Sequence, residues 1–131
     1  MTLDTADRLD ILDLLTRADN AATRRDIDGY VVLFSDDGVL DGEKGEHRGR
    51  QALVEAVGPV WESEGDATVH LTLNPVIEAV PGHADRAVAT TWLLIVDPSP
   101  PPTIKTVAAI VQHVEKADTR WQITRRTVTA P

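Results

Sequence analysis

The sequence predicts an α+β fold in which helices from the first half of the chain pack on one face of a curved antiparallel sheet formed by the second half. Two observations support this prediction. Apolar residues recur at helical spacing up to Val57, and from Thr68 onward the period changes to two, with many Val, Ile, Thr and Trp residues. The length of 131 residues suits a single domain, 1–131.

The first helix is predicted from residue 4 to about residue 25. Asp4 is a cap-type residue at its start, and Arg24 and Arg25 suit the negative end of the helix dipole. Its apolar stripe consists of Ile11, Leu14, Leu15, Ala18, Ala21 and Ala22. A second, short helix is predicted from Asp26, although Gly29 inside it weakens the pattern.

The region that follows is predicted to be mixed. Residues 35–38 read as a turn, residues 39–41 as a short strand, and residues 42–49 as a polar loop or hairpin. A third helix is predicted from residue 50 to residue 57. It is expected to stop at Gly58-Pro59, because proline cannot donate a helical hydrogen bond.

Four long strands are predicted in the second half of the chain, at residues 68–80, 86–97, 104–116 and 121–128. Turn-forming residues separate the first pair and the last pair, and a proline-rich loop at residues 98–102 links the middle pair.

The composition excludes several classes of protein. The 21 Asp and Glu residues outnumber the 13 Lys and Arg residues, and a net charge of −8 repels nucleic acids and anionic membranes. There is no cysteine, which excludes disulfides, thiolate catalysis and cysteine-ligated metals. Apolar runs are shorter than a bilayer span, and no leader sequence opens the chain, so we expect a cytoplasmic protein.

The segment 24–53, RRDIDGYVVLFSDDGVLDGEKGEHRGRQAL, resembles the SnoaL-like branch of the nuclear-transport-factor-2-like superfamily. The segments VHLTLNPVIE around His70 and RWQI at residues 120–123 are also similar to that family. Its relatives include scytalone dehydratase and ketosteroid isomerase. The resemblance implies a cone-shaped, cystatin-like α+β barrel with an apolar pocket and pairing of two chains through the outer sheet face.

His70 is the strongest candidate for a catalytic residue. On a strand it shares one face with Thr72, and an imidazole facing a pocket can transfer protons near neutral pH. The resemblance aligns His70 with the histidine that serves as base in the scytalone dehydratase-like enzymes. The alternative is a buried neutral histidine satisfied by a hydrogen bond.

Asp19 is the predicted partner of His70. In the dehydratase-like enzymes a carboxylate late in the first helix orients the histidine, and the aligned residue here is Thr23, which cannot ionise. Asp19 lies one turn earlier and could reach inward. The alternative is an acid solvated on the flank of the helix.

The ketosteroid isomerase machinery is not preserved. The resemblance places its oxyanion tyrosine on Ala18, its general base on Gly42 and its second acid near Gln112. Asp41 is adjacent to the base position, but a slip of one residue in a strand turns a side chain to the opposite face.

Five further residues are candidate ligand contacts. Tyr30 and Gln112 offer hydrogen bonds to a substrate oxygen, Thr72 and Trp92 would line the pocket, and Arg125 would bind a carboxylate. The alternatives are core packing for the aromatic residues and simple balancing of the acidic charge for Arg125.

No metal or cofactor is expected. The remaining histidines, His47, His83 and His113, form no metal-binding spacing with His70.

Two functions therefore remain open. The first is a cofactor-free lyase, isomerase or cyclase acting on a small, oxygenated, hydrophobic molecule such as a polyketide or terpenoid. The second is a non-catalytic binding or accessory protein that uses the same cavity. A homodimer is expected, since an apolar patch on the outer sheet face would otherwise be exposed; its predicted members are Leu71, Leu73, Leu93 and Ile95.

Overall fold

The computed structural model describes residues 3–130, which form three helices and one curved, open sheet. Two strands lie between the second and third helices, and four strands follow the third helix. The elements are α1 (Thr5–Arg24), α2 (Ile27–Val31), β1 (Phe34–Gly42), β2 (Gly45–Arg48), α3 (Arg50–Glu64), β3 (Val69–Val80), β4 (His83–Asp97), β5 (Thr103–Ala117) and β6 (Arg120–Thr129). The strand order is β2-β1-β6-β5-β4-β3, and the predicted α+β class is confirmed. The sheet is mixed rather than wholly antiparallel, because β1 runs parallel to β6.

The first helix forms as predicted. The Asp4 carboxylate accepts a hydrogen bond from the backbone N–H of Asp7 at 2.7 Å and caps the helix. The helix ends at Arg25, whose φ of 59° is left-handed, and its backbone N–H bonds back to the last turn. All six residues of the predicted apolar stripe are buried.

The third helix is longer than predicted, since it continues through Gly58-Pro59 to Glu64. Proline removes one backbone donor, yet the helix gains burial of Trp61, one turn beyond the buried Val57. An interior proline costs a helix about 3 kcal/mol, and burial of a large apolar side chain, which contributes about 2–3 kcal/mol, offsets most of that cost. The extension brings Glu64 onto the helix.

The four long strands form as predicted, and the segment 42–49 is a hairpin in which Gly42 pairs with Gly45. The prediction of a turn at residues 35–38 is wrong: they lie within β1, where the pairing with β6 shifts register between Phe34 and Val39. A β-bulge interrupts β6: His113 pairs with Arg125, but Val114 pairs with Ile123, which leaves Thr124 unpaired. A residue added to one strand reverses the faces of all residues beyond it. Arg126, rather than Arg125, therefore points to the inner face of the sheet.

The inner face of the sheet carries two apolar clusters. The larger cluster is formed by residues of all three helices together with residues of the sheet, including Ile11 of α1, Phe34 of β1, and Leu53 and Trp61 of α3. The smaller one consists of Leu93, Ile95, Ala108 and Ile110. The prediction that Leu93 and Ile95 lie on the outer face is wrong, because they are only 5% and 7% exposed and face inward. Within residues 3–130, no helix is long and apolar enough to cross a membrane.

Candidate functional site

A cavity of about 550 Å³ lies between the helices and the inner face of the sheet. Its walls are largely apolar and include Tyr30, Trp61, Leu93, Ile95, Ala108 and Val128. Charged or titratable side chains also line it: His70 and Arg126 are buried, His47 and Glu64 are partly buried, and Glu43, Lys44 and Glu55 are exposed. A cavity of this size and polarity is typical of small-molecule sites in proteins.

His70 and Glu64 form a carboxylate–imidazole pair on the wall of the cavity. The imidazole Nε2 lies 2.7 Å from Glu64 Oε1, and the two side chains are 6% and 14% exposed. His70 sits near the start of β3, and Glu64 is the last residue of α3. The His70 backbone N–H donates to Thr23 Oγ1 at 2.9 Å, so α1 also fixes the position of the strand.

Arg25 ties the end of α3 to the start of β3. Its Nη2 lies 3.8 Å from Glu64 Oε1 and donates to the carbonyl of Gly65 and the hydroxyl of Thr68. Its Nη1 donates to the carbonyl of Ala22. Glu64 therefore has a cation on one side and the imidazole on the other, which holds its carboxylate in place.

Asp19 is buried, at 8% exposure, but its partner is Thr72 rather than His70. The backbone N–H of Thr72 donates to Asp19 Oδ2 at 2.9 Å, and the Thr72 hydroxyl donates to Oδ1 at 2.8 Å. The predicted Asp19–His70 hydrogen bond is therefore replaced by two separate pairs, and the solvated alternative for Asp19 does not hold. Burial raises the pKa of the Asp19 carboxyl, while the Thr72 hydrogen bonds and the charge of Arg126 oppose that effect.

The geometry of α1 against β3 explains this pairing. Four residues along a helix advance about 6 Å, and two residues along a strand advance about 6.6 Å. Asp19 on α1 therefore lies beside Thr72 on β3, and Thr23, one helical turn later, lies beside His70. To reach the imidazole, the Asp19 carboxylate would have to span the additional distance of about 6.6 Å between Thr72 and His70 along β3.

Tyr30 lies in the cavity wall and is 4% exposed, so it packs in the core and borders the cavity. Its ring contacts that of Trp61 edge-on at 5.1 Å, and the guanidinium carbon of Arg126 lies 5.8 Å from the ring centre. Burial raises the pKa of the Tyr30 phenol. Arg126 is 4% exposed.

Arg125 lies outside the cavity, contrary to its prediction as a ligand contact. Its Nη1 is 2.8 Å from Glu46 Oε1 and 3.4 Å from Asp41 Oδ2, so it balances acidic charge. The bulge at Thr124 is the reason, because it turns Arg125 outward and Arg126 inward.

Gln112 and Trp92 also lie elsewhere than predicted: Gln112 was expected to offer a hydrogen bond to a substrate, and Trp92 to line the pocket. Gln112 is fully buried directly opposite Arg126 in the β5–β6 pairing, and among residues 3–130 neither amide atom has a hydrogen-bond partner. Trp92 is 47% exposed on the outer face and does not line the cavity. Gln112 and Thr72, also predicted to contact the ligand, are likewise not among the residues that line it, since Thr72 is turned to Asp19 on α1 and Gln112 is enclosed in the sheet.

Sequence reasoning missed two residues of the site, Glu64 and Arg126. The spacing Leu53, Val57, Trp61, Glu64 continues one helical face and is a signal that would have placed Glu64. Arg126 depends on the bulge, for which the sequence carries no clear signal. In the described part of the chain, no three His, Asp or Glu side chains are grouped closely enough to hold a metal ion.

Several solved structures share this fold at low sequence identity. A protein of unknown function with a cystatin-like fold from Nostoc punctiforme is 23% identical, with a TM-score of 0.90, and the match covers 100% of this chain and 96% of that one. An NTF2-like protein with a cystatin-like fold from Novosphingobium aromaticivorans is 21% identical, with a TM-score of 0.84 and coverages of 95% and 82%. ActVI-ORFA from Streptomyces coelicolor is 16% identical, with a TM-score of 0.83 and coverages of 97% and 96%.

The family assignment comes from the sequence. No curated protein sequence matches the chain. The family model for the SnoaL-like domain matches residues 4–127, which is nearly the whole chain. The match spans all three helices and the sheet except the last two residues of β6. The chain belongs to the SnoaL-like domain family.

Proposed function

We propose that this chain is a cofactor-independent lyase, isomerase or cyclase that uses His70 for acid–base chemistry on a small, oxygenated, hydrophobic molecule of polyketide or terpenoid type. The observation that carries the proposal is the hydrogen bond of 2.7 Å between His70 Nε2 and Glu64 Oε1 on the wall of a largely apolar cavity. An oriented imidazole in such a cavity is suited to general acid–base catalysis near neutral pH.

Glu64 determines how His70 would act. A carboxylate accepts hydrogen bonds, so Nε2 carries the proton that it shares with Glu64, and Nδ1 is the basic nitrogen. When Nδ1 takes a proton from substrate, Glu64 stabilises the imidazolium that forms. Glu64 thus takes the orienting role that was predicted for Asp19. Asp19 instead holds β3 in position through its two hydrogen bonds from Thr72.

A dehydration illustrates the proposed chemistry. His70 removes the proton on the carbon next to a carbonyl group, and the electron pair of that C–H bond forms a C=C bond. The C–O bond of a β-hydroxyl group breaks, and the hydroxyl leaves as water with the proton returned by His70. Tyr30, in the same wall, is the candidate to donate a hydrogen bond to the carbonyl oxygen as charge develops on it.

The aldol adduct of benzaldehyde and acetone is a suitable probe, since it is a small β-hydroxy ketone whose dehydration product absorbs in the near ultraviolet. The wild type should accelerate its dehydration over buffer. His70→Gln should lose about 100-fold or more of that rate, and Glu64→Gln a smaller factor. His113→Gln, on the exposed face of β5, is the matched control and should retain the rate. Equal rates for wild type and His70→Gln would refute the proposal.

One observation favours the alternative, a non-catalytic small-ligand-binding protein. Arg25 holds Glu64 and also bonds to Gly65 and Thr68, so the His70–Glu64 pair is continuous with a network that joins α3 to β3. In this alternative the pair serves to close the cavity wall. His70→Gln would then lower thermal stability, and the wild type would bind hydrophobic ligands without converting the β-hydroxy ketone.

We also propose that two copies of the chain pair through the outer sheet face. The exposed large apolar side chains of β3, β4 and β5 lie on this face: Leu71, Leu73, Val76, Trp92, Ile104 and Val107. They are neighbours in the sheet, where Leu73 pairs with Trp92. A contiguous apolar patch of this kind is typical of a protein–protein interface.

A further inference from the structure

Arg126 is a buried cation that faces the cavity with unused hydrogen-bonding capacity. Arg126 is 4% exposed and lines the cavity. Its Nη1 has no hydrogen-bond partner among residues 3–130. A guanidinium group has five N–H donors, and buried polar groups in proteins are nearly always paired. The neighbouring Arg125 shows the ordinary arrangement, with Glu46 and Asp41 beside it.

The groups around Arg126 do not use this capacity. Asp19 acts on it through space, but both Asp19 oxygens accept hydrogen bonds from Thr72. Tyr30 presents its ring face to the guanidinium, which attracts the charge without accepting the N–H groups in plane. Gln112 is opposite Arg126 on the same inner face, and its buried amide likewise has no partner within residues 3–130.

We propose that Arg126 forms the subsite that binds a carboxylate or an equivalent delocalised oxyanion of the ligand. A planar guanidinium matches the two oxygens of such a group in a bidentate geometry. The apolar walls at Trp61 and Leu93 would then enclose the hydrophobic body of the ligand in the cavity that also contains His70.

The acidic surface of the protein does not oppose this assignment. The net charge is −8, but at physiological salt the potential of exposed charges is screened over about 8 Å. Among the charged residues that line the cavity, Arg126 is the buried cation, Glu64 is paired with His70, and Glu43, Lys44 and Glu55 are exposed. The inference adds to the proposed substrate class hydrophobic molecules that also carry an anionic oxygen group, and in that respect it rests on the proposed function.

The test compares two probes of nearly equal shape, β-naphthoate and its uncharged methyl ester, by isothermal titration calorimetry. The wild type should bind β-naphthoate more tightly than the ester. Arg126→Gln should weaken β-naphthoate binding by about ten- to hundred-fold and leave ester binding unchanged. Arg126→Lys keeps the charge without the planar fork and should lie between. Arg125→Gln is the matched control and should bind both probes as the wild type does.

The proposal is overturned if the wild type binds the ester as tightly as the anion, if it binds neither probe, or if Arg126→Gln retains β-naphthoate affinity. The first two outcomes need no variant, so they stand even where Arg126→Gln fails to fold. The readout is separate from catalysis. Binding of β-naphthoate through Arg126 without turnover of the β-hydroxy ketone would refute the proposed enzyme and keep the anion subsite. Turnover of the β-hydroxy ketone without selective binding of β-naphthoate would refute the anion subsite and keep the proposed enzyme.

Discussion

Replacing Thr72 with valine should destabilise the protein at neutral pH by about 2 kcal/mol. The Thr72 hydroxyl donates to Asp19 Oδ1 at 2.8 Å, and Asp19 is 8% exposed. Valine has nearly the same shape as threonine, so the change removes the donor without creating a large cavity. The backbone N–H of Thr72 still reaches Oδ2, so the carboxylate loses one of its two hydrogen bonds from that residue.

The magnitude follows from the charge and the burial of Asp19. A hydrogen bond to a charged group contributes about 1.5–3 kcal/mol, and little water can replace a donor on a carboxylate this buried. Thr72 is itself only partly buried, which favours the lower half of that range. In a domain of this size, a loss of about 2 kcal/mol lowers Tm by roughly 6–8 °C.

Urea denaturation at several pH values measures this effect. The loss should shrink at pH values below the pKa of Asp19, because a protonated carboxyl depends less on the donor. Thr72→Ser keeps the hydroxyl and should recover most of the stability. Thr90→Val, on the exposed outer face of β4, is a control for a Thr-to-Val change in a strand. A Thr72→Val loss below about 0.5 kcal/mol, or one that is equal at acid and neutral pH, would refute this account of Asp19.

Two further predictions concern the buried carboxylate and the outer sheet face. Burial raises the pKa of Asp19 above its ordinary value of 3.8, so the unfolded chain releases this proton first, and stability falls as pH rises from 3.8 to the pKa in the folded state. Asp19→Asn should remove that part of the pH dependence in urea titrations, and an unchanged profile would contradict the assignment. Trp92→Glu should convert a dimer into a monomer in sedimentation velocity, whereas Leu9→Glu, at an exposed apolar residue of α1, should not. A wild type that is monomeric at micromolar concentration would contradict the proposed pairing.

The elements with strong periodicity were predictable from the sequence. The first helix has a cap at Asp4 and a continuous apolar stripe, and the four long strands alternate clearly enough to fix their approximate bounds. The end of α3 was not predictable from local rules alone. Gly58-Pro59 is a strong stop signal, and the burial of Trp61 against the other helices overrides it.

The faces of the strands were harder to predict than their positions. On β4 both faces are apolar, because Leu93 and Ile95 line the cavity while Trp92 and Leu94 belong to the opposite, outer face. Alternation alone therefore does not distinguish inside from outside. On β6 the bulge at Thr124 exchanges the roles of two adjacent arginines, which no pattern of hydrophobicity reveals.

The candidate site was predicted in part. His70 lines the cavity, and Thr23, which the resemblance aligns with the orienting carboxylate, accepts a hydrogen bond from the His70 backbone N–H rather than from its ring. The carboxylate that contacts the imidazole comes from α3 rather than α1, because α3 extends to Glu64 and brings its side chain within hydrogen-bonding distance of His70. This contact depends on tertiary packing and cannot be obtained from the sequence of α1.

The protonation of the His70 ring tests the account most directly. Long-range proton–nitrogen NMR correlation reports which ring nitrogen carries the proton, with His70→Gln used to assign the signals. The hydrogen bond to Glu64 predicts a proton on Nε2 in the wild type, loss of that preference in Glu64→Ala, and no change in Asp19→Asn. A neutral ring with its proton on Nδ1, or a spectrum that Glu64→Ala leaves unchanged, would contradict the carboxylate–imidazole pair on which the proposed function depends.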